Sequence, residues 1–158
     1  MTRSIREFLR RDLVVSNLEA KSAEDVFKKM SPILFEAGFV ENSFFNGLVD
    51  RENKFPTGLL LGKYNVAIPH TDAVHVKKPA IAIATLKDPV EFNCMDGNGS
   101  VAVNIVFTMA LNEPHSQIVM LQQLMFLIQN ESILENMLQA KNSDKVYDIV
   151  SSFNYNCE

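Results

Sequence analysis

The run VAVNIVFTMA, residues 101–110, constrains this chain more than any other stretch. Its density of apolar and β-branched residues makes it the strongest strand signal in the sequence. A second run, PAIAIATL at 79–86, mixes small with β-branched residues and suits close helix packing on both of its faces. Helical patterns both precede and follow these strands. The expected architecture is therefore α/β, a single-domain sandwich with a central mixed β-sheet flanked by helices.

The remaining pattern fills in that frame. Residues 12–18, with Val14 and Val15 at the centre, read as a short strand. Ser22 opens a SAED segment resembling a capping box, with Asp25 where Glu or Gln is usual. Behind it, Val26, Met30, Ile33 and Leu34 fall on one face of a helix over 23–37, with Pro32 a candidate bend and Gly38 a C-terminal cap. A second helix is expected over 42–51, its apolar side Phe44, Phe45, Leu48 and Val49. Residues 59–61 and 66–68 read as short buried strands around a turn at 62–65, residues 90–92 as an edge strand, and 95–100 as a loop. An amphipathic helix over 115–130 follows, then two more over 131–140 and 144–153.

Composition narrows the function. A chain of 158 residues fits one domain, 1–158, and 47% hydrophobic with 22% charged residues is a globular balance. The longest apolar runs are strand-sized, too short to span a bilayer, and residues 1–12 are charged without an apolar signal core. Two distant cysteines, Cys94 and Cys157, supply neither a disulfide framework nor a CxxC motif, which fits a reducing cytoplasm. The net charge of −4, with basic residues clustered only as Arg10-Arg11 and Lys77-Lys78, argues against nucleic acid as a partner.

Chemistry has few places to sit. Of the three histidines, His70 directly follows Val66, Ala67, Ile68 and Pro69, so a proline ends strand pairing where the imidazole emerges. His115 stands where the strand at 101–110 gives way to a helix. If both strands lie in one sheet and run the same way, the two rings converge at one edge, where α/β proteins tend to place ligands. From pattern alone, a histidine after a strand is equally a hydrogen-bonded loop residue. Arg51, at the end of a helix, is either a surface charge favoured by the helix dipole or a planar donor set for an anion. Thr57 can add a hydroxyl donor, and Gly58 would permit close backbone approach. His70, His75 and Asp72 lack a clear fourth metal ligand. No GxSxG is present, and Gly97-Asn98-Gly99 lacks the context of a nucleotide loop.

Taken together, Arg51-Glu52, Thr57-Gly58 and Ala67-Ile68-Pro69-His70, with His115 later at a helix start, resemble the fructose/mannitol-type enzyme IIA domains of the bacterial phosphotransferase system. The likeness covers nearly the whole chain, and the stretch 68–86 is most similar to the galactitol-type branch. The resemblance implies that His70 is phosphorylated at Nε2, that His115 hydrogen-bonds the phosphoryl group, that Arg51 stabilises its charge and that Thr57 contributes a hydroxyl. It implies HPr as donor, a cysteine of a IIB component as acceptor, and a membrane IIC component met only indirectly. No metal, nucleotide or other cofactor is required. Residues 53–56 depart from the Gly- or Ser-containing stretch common there, and His75 has no universal counterpart. A regulatory domain of the same fold, and a binding module with structural histidines, are the competing readings.

Overall fold

The computed structural model describes residues 4–155, the side chains of His115 and Ser116 excepted; Cys157 lies outside the described residues. Five strands form one mixed sheet: β1 (Val14–Leu18), β2 (Gly58–Leu59), β3 (Val66–Ala67), β4 (Ala80–Asn93) and β5 (Ser100–Ala110), in the order β1-β4-β5-β3-β2. The pairs β1/β4 and β3/β5 are parallel, and β4/β5 and β2/β3 are antiparallel. Helices α1 (Ala23–Glu36) and α2 (Phe44–Lys54) accompany this sheet, with α3 (Pro114–Ile128), α4 (Glu131–Gln139) and α5 (Ser143–Ser152). The expected α/β sandwich with a mixed sheet is the observed one.

The alternation in β4 divides the interior. Ala80, Ala82 and Ala84 belong to a core with Val26, Phe27, Met30 and Leu34 of α1 and Phe44 and Leu48 of α2. Ile81 and Ile83 belong to the opposite core, with Met120, Leu124 and Leu127 of α3 and Leu134 and Val146 beyond it. Successive side chains point to opposite faces, so the small residues let one helical layer lie close while the isoleucines fill the other. In β5 the face changes part-way: Val101 and Val103 join the alanine side, whereas Ile105, Phe107 and Met109 join the isoleucine side. The consecutive amides of Asn104 and Ile105 both donate to the carbonyl of Asn65, at 2.8 and 3.4 Å, the pattern of a bulge.

Local signals account for the helix ends. The Ser22 hydroxyl accepts from the Asp25 amide, while the Asp25 carboxylate reaches Lys21 rather than Ser22, one residue off the ideal box. At the other end, Gly38 at φ 86° donates to Phe35 and Phe39 donates to Leu34, a Schellman motif. Pro32 lies inside α1 without ending it.

Several expectations are corrected. Residues 90–92 are not a separate edge strand; they continue β4 and pair with β5 after an irregularity between Thr85 and Val90. Leu60 and Leu61 are exposed, outside any strand, because β2 ends at Leu59. Two 3-10 turns, Ile5–Phe8 and Arg11–Leu13, precede β1, which starts at Val14 rather than at Asp12. Their apolar residues Ile5, Phe8 and Leu13 are core, too few and too closely spaced to register as a periodic element.

Ala82 is fully buried on the close-packed side. Ala82→Leu should therefore cost about 1–3 kcal/mol, read as a lower urea midpoint at unchanged slope. Wild-type stability would show that the α1–α2 layer has room to spare.

Candidate functional site

The sheet brings the chain exit that carries His70 and the start of α3 to one edge. β3 and β5 run parallel, with Val66 opposite Ile105 and Ala67 opposite Val106. Beyond β3, the carbonyl of Pro69 accepts from the Met109 amide at 2.9 Å. Proline thus extends the ladder as an acceptor, but has no amide to carry it further, and the chain leaves the sheet at His70. β5 ends at Ala110 and, after residues 111–113, becomes α3 with Pro114 in its first turn. A cleft of about 250 Å³ opens between the two exits, lined by Arg51, His70, Asp72, Asn112, Glu113 and Gln117 among others. Pro114 lines it too. The His115 side chain lies outside the described residues, although its backbone sits in the first turn of α3, between these lining residues.

The ring of His70 is held in one sense. Its Nδ1 lies 3.1 Å from the carbonyl oxygen of Ile68. A carbonyl only accepts, so this network assigns the proton to Nδ1, and in the neutral ring Nε2 keeps its lone pair. Arg51, in the last turn of α2, borders the same cleft. Its Nη1 donates to Asp72 Oδ1 at 3.2 Å, and its guanidinium lies 4.6 Å from the centre of the Phe55 ring. Its Nε is buried with no hydrogen-bond partner among the described residues. The structure therefore brings Arg51 and His70 together. It does not bring Thr57 with them: Thr57 is buried, and its hydroxyl donates to Glu52 Oε1 at 2.8 Å.

His75 occupies the neighbouring cleft with Asp50, Lys54 and Asp72. Its Nδ1 is 2.7 Å from the Ser43 hydroxyl, and its ring lies so close to α2 that a Cβ on Gly47 would fall 2.7 Å from Cδ2 and 2.9 Å from Nε2. Among the described residues, no three of His, Cys, Asp and Glu gather to hold a metal ion. No helix of the described residues is long and apolar enough to cross a membrane.

Residues 7–153 match the family model of the phosphoenolpyruvate-dependent sugar phosphotransferase system, EIIA 2. The chain belongs to this family. The galactitol-specific EIIA component of Escherichia coli K12 is 29% identical over 125 residues, covering 79% of this chain and 83% of that relative. The mannitol-specific cryptic enzyme IIA of Escherichia coli superposes with a TM-score of 0.76 at 18% identity, over 96% of this chain and 100% of the other. The mannitol IIA of Escherichia coli, solved in complex with phosphorylated mannitol IIB, superposes with a TM-score of 0.75 at 20% identity, over 92% and 98%. As an EIIA component the protein is a phosphotransferase of a sugar or polyol system, a relay for phosphoryl groups.

Within this EIIA domain, Glu52 is the residue that the motif included without giving it a role. It is nearly buried, and its Oε2 accepts from the Thr57 amide at 2.8 Å while Oε1 takes the hydroxyl. Its position was readable: it follows Phe44 and Leu48 by one turn each, which places it on the buried side of α2. Burial raises the pKa of Glu52 above the ordinary carboxylate value of 4.5, against the opposing pull of the two Thr57 hydrogen bonds. The folded state then binds this proton more tightly than the unfolded chain does. The contribution of Glu52 to stability consequently falls as pH rises from its ordinary value through its raised one. The unfolding free energy of wild type minus that of Glu52→Gln should decline across that window. A difference that stays flat or rises in pH-dependent urea titrations would contradict it.

Proposed function

We propose that this EIIA protein accepts a phosphoryl group from phospho-HPr on Nε2 of His70 and passes it to a cysteine of a IIB component, in the cytoplasm, for uptake of galactitol. The observation that carries this reading is the Nδ1 contact of His70 with Ile68, which leaves Nε2 as the free nucleophile in a cleft shared with Arg51. His75 differs in its surroundings: its Nδ1 is paired with the Ser43 hydroxyl and its ring packs close against α2 at Gly47. The galactitol assignment is supported by the relative from Escherichia coli, and the IIB partner by the mannitol complex. Contact with the membrane IIC component would be indirect, through IIB.

The chemistry is an in-line displacement in each direction. The Nε2 lone pair forms the new N–P bond as the N–P bond of the donor histidine breaks and its electron pair returns to that ring. In the second step a cysteine thiolate attacks phosphorus, and the pair of the breaking bond returns to Nε2. The Nδ1 proton stays on His70 throughout, so no proton need move. Charge gathers on three equatorial oxygens, which Arg51 and His115 would stabilise. Thr57 would serve the site indirectly, through Glu52. Phe55, against Arg51, is 58% exposed, and Val74 and Ile118, each next in the chain to a residue that lines the cleft, are 76% and 55% exposed, apolar surface suited to partners that dock in turn.

With enzyme I, HPr and phosphoenolpyruvate, the wild-type protein should acquire one acid-labile phosphate, and His70→Ala should acquire none while keeping its unfolding midpoint. Absence of label on the wild type would refute the relay. His115→Ala should slow transfer to IIB more than acceptance from HPr, and equal loss of both steps would contradict that division of labour.

A further inference from the structure

We infer that Glu52 is a positioning residue for His70, acting through Thr57 and the backbone of Ile68. The inference rests on His70 as the phosphoryl acceptor and concerns what fixes its ring. Four hydrogen bonds form an unbroken path. The amide and hydroxyl of Thr57 each donate to one oxygen of Glu52 at 2.8 Å. The carbonyl of Thr57 accepts from the Ile68 amide at 3.2 Å. The carbonyl of Ile68, in turn, faces His70 Nδ1 at 3.1 Å. The path runs from α2 to Thr57, just before β2, and on to Ile68, just after β3, and so ties a helix outside the sheet to the imidazole.

The placement of Glu52 argues for more than packing. It stands on the buried side of α2 in register with Phe44 and Leu48, where an apolar residue would avoid the cost of desolvating a carboxylate. Departures of this kind from the packing rule concentrate at functional sites. One residue earlier in the same turn is Arg51, whose carbonyl accepts from the Phe55 amide at 2.7 Å. The helix end therefore fixes residue 55, the Glu52 carboxylate fixes residue 57, and one segment sets both the guanidinium and, through Ile68, the ring.

The test reads the ring directly. Long-range nitrogen–proton correlation spectra, taken where His70 is neutral, should show the Nδ1–H tautomer alone in the wild type. Glu52→Ala should show a mixture and should accept phosphoryl from phospho-HPr about ten- to a hundredfold more slowly at unchanged KM. Glu52→Gln should restore most of both, since its amide oxygen can accept from the Thr57 amide and its NH₂ can meet the hydroxyl. A folded Glu52→Ala with one tautomer and the wild-type rate would overturn the inference. If that variant does not fold, Glu52→Met, which keeps the volume and removes both acceptors, decides: a tautomer mixture supports the path, and an unchanged ring and rate overturn it. Should the wild type take no phosphoryl group, the relay fails, yet the spectra still decide whether Glu52 orients the ring.

Discussion

The parallel register of β3 on β5 is the constraint on which the site depends. β3 is only two residues long, so it holds its place by pairing with a strand of eleven residues in the middle of the sheet. A two-residue strand has few hydrogen bonds of its own, and the Pro69–Met109 bond adds one where it matters, directly before His70. With that bond made, the direction of the exit from β3 follows the direction of β5. The start of α3 must then lie at the same edge as the imidazole. An antiparallel arrangement would have sent the two exits to opposite ends of the sheet.

Much of this was legible because it depends on patterns that a sequence carries explicitly. The Ala/Ile alternation of β4 shows a strand covered on both faces, and Pro-His marks where a strand must stop. The face change in β5 was not legible. It arises from two amides of β5 sharing the Asn65 carbonyl, a contact across 39 residues that leaves no trace in the local order of apolar residues. Residues 90–92 read as a separate strand because Lys87, Asp88 and Pro89 interrupt the apolar run, whereas the chain keeps its pairing with β5 on either side of them.

The site shows the same division. His70 and Arg51 could be named because their chemistry, a nucleophilic ring and a planar cation, is inseparable from their identity. Thr57 was assigned to the anion because a hydroxyl in a sequence has no direction, and its true partner lies five residues back on the preceding helix. Glu52, though named in the motif, was given no role for the opposite reason. A charged residue between Arg51 and Asn53 looks like solvated surface until its helical phase is set against Leu48. The two gaps are one, since the carboxylate left without a role is the group that takes the hydroxyl away from the cleft.

A relay must hold a phosphoryl group without keeping it, and the wall of the cleft is suited to that. Arg51 is paired with Asp72, whose carboxylate is 70% exposed. An ion pair so open to water contributes roughly 0–1 kcal/mol, so the guanidinium can exchange this partner for an incoming anion at little cost. A buried pair would resist the exchange, since stripping one partner from it costs about 3–5 kcal/mol. The carboxylate that Arg51 leaves is returned to water and stays beside the site. From there it competes for the guanidinium and repels the bound phosphoryl oxygens. If His70 carries the phosphoryl group as proposed, Asp72 would weaken the hold of the cleft on it in the same place where Arg51 strengthens it.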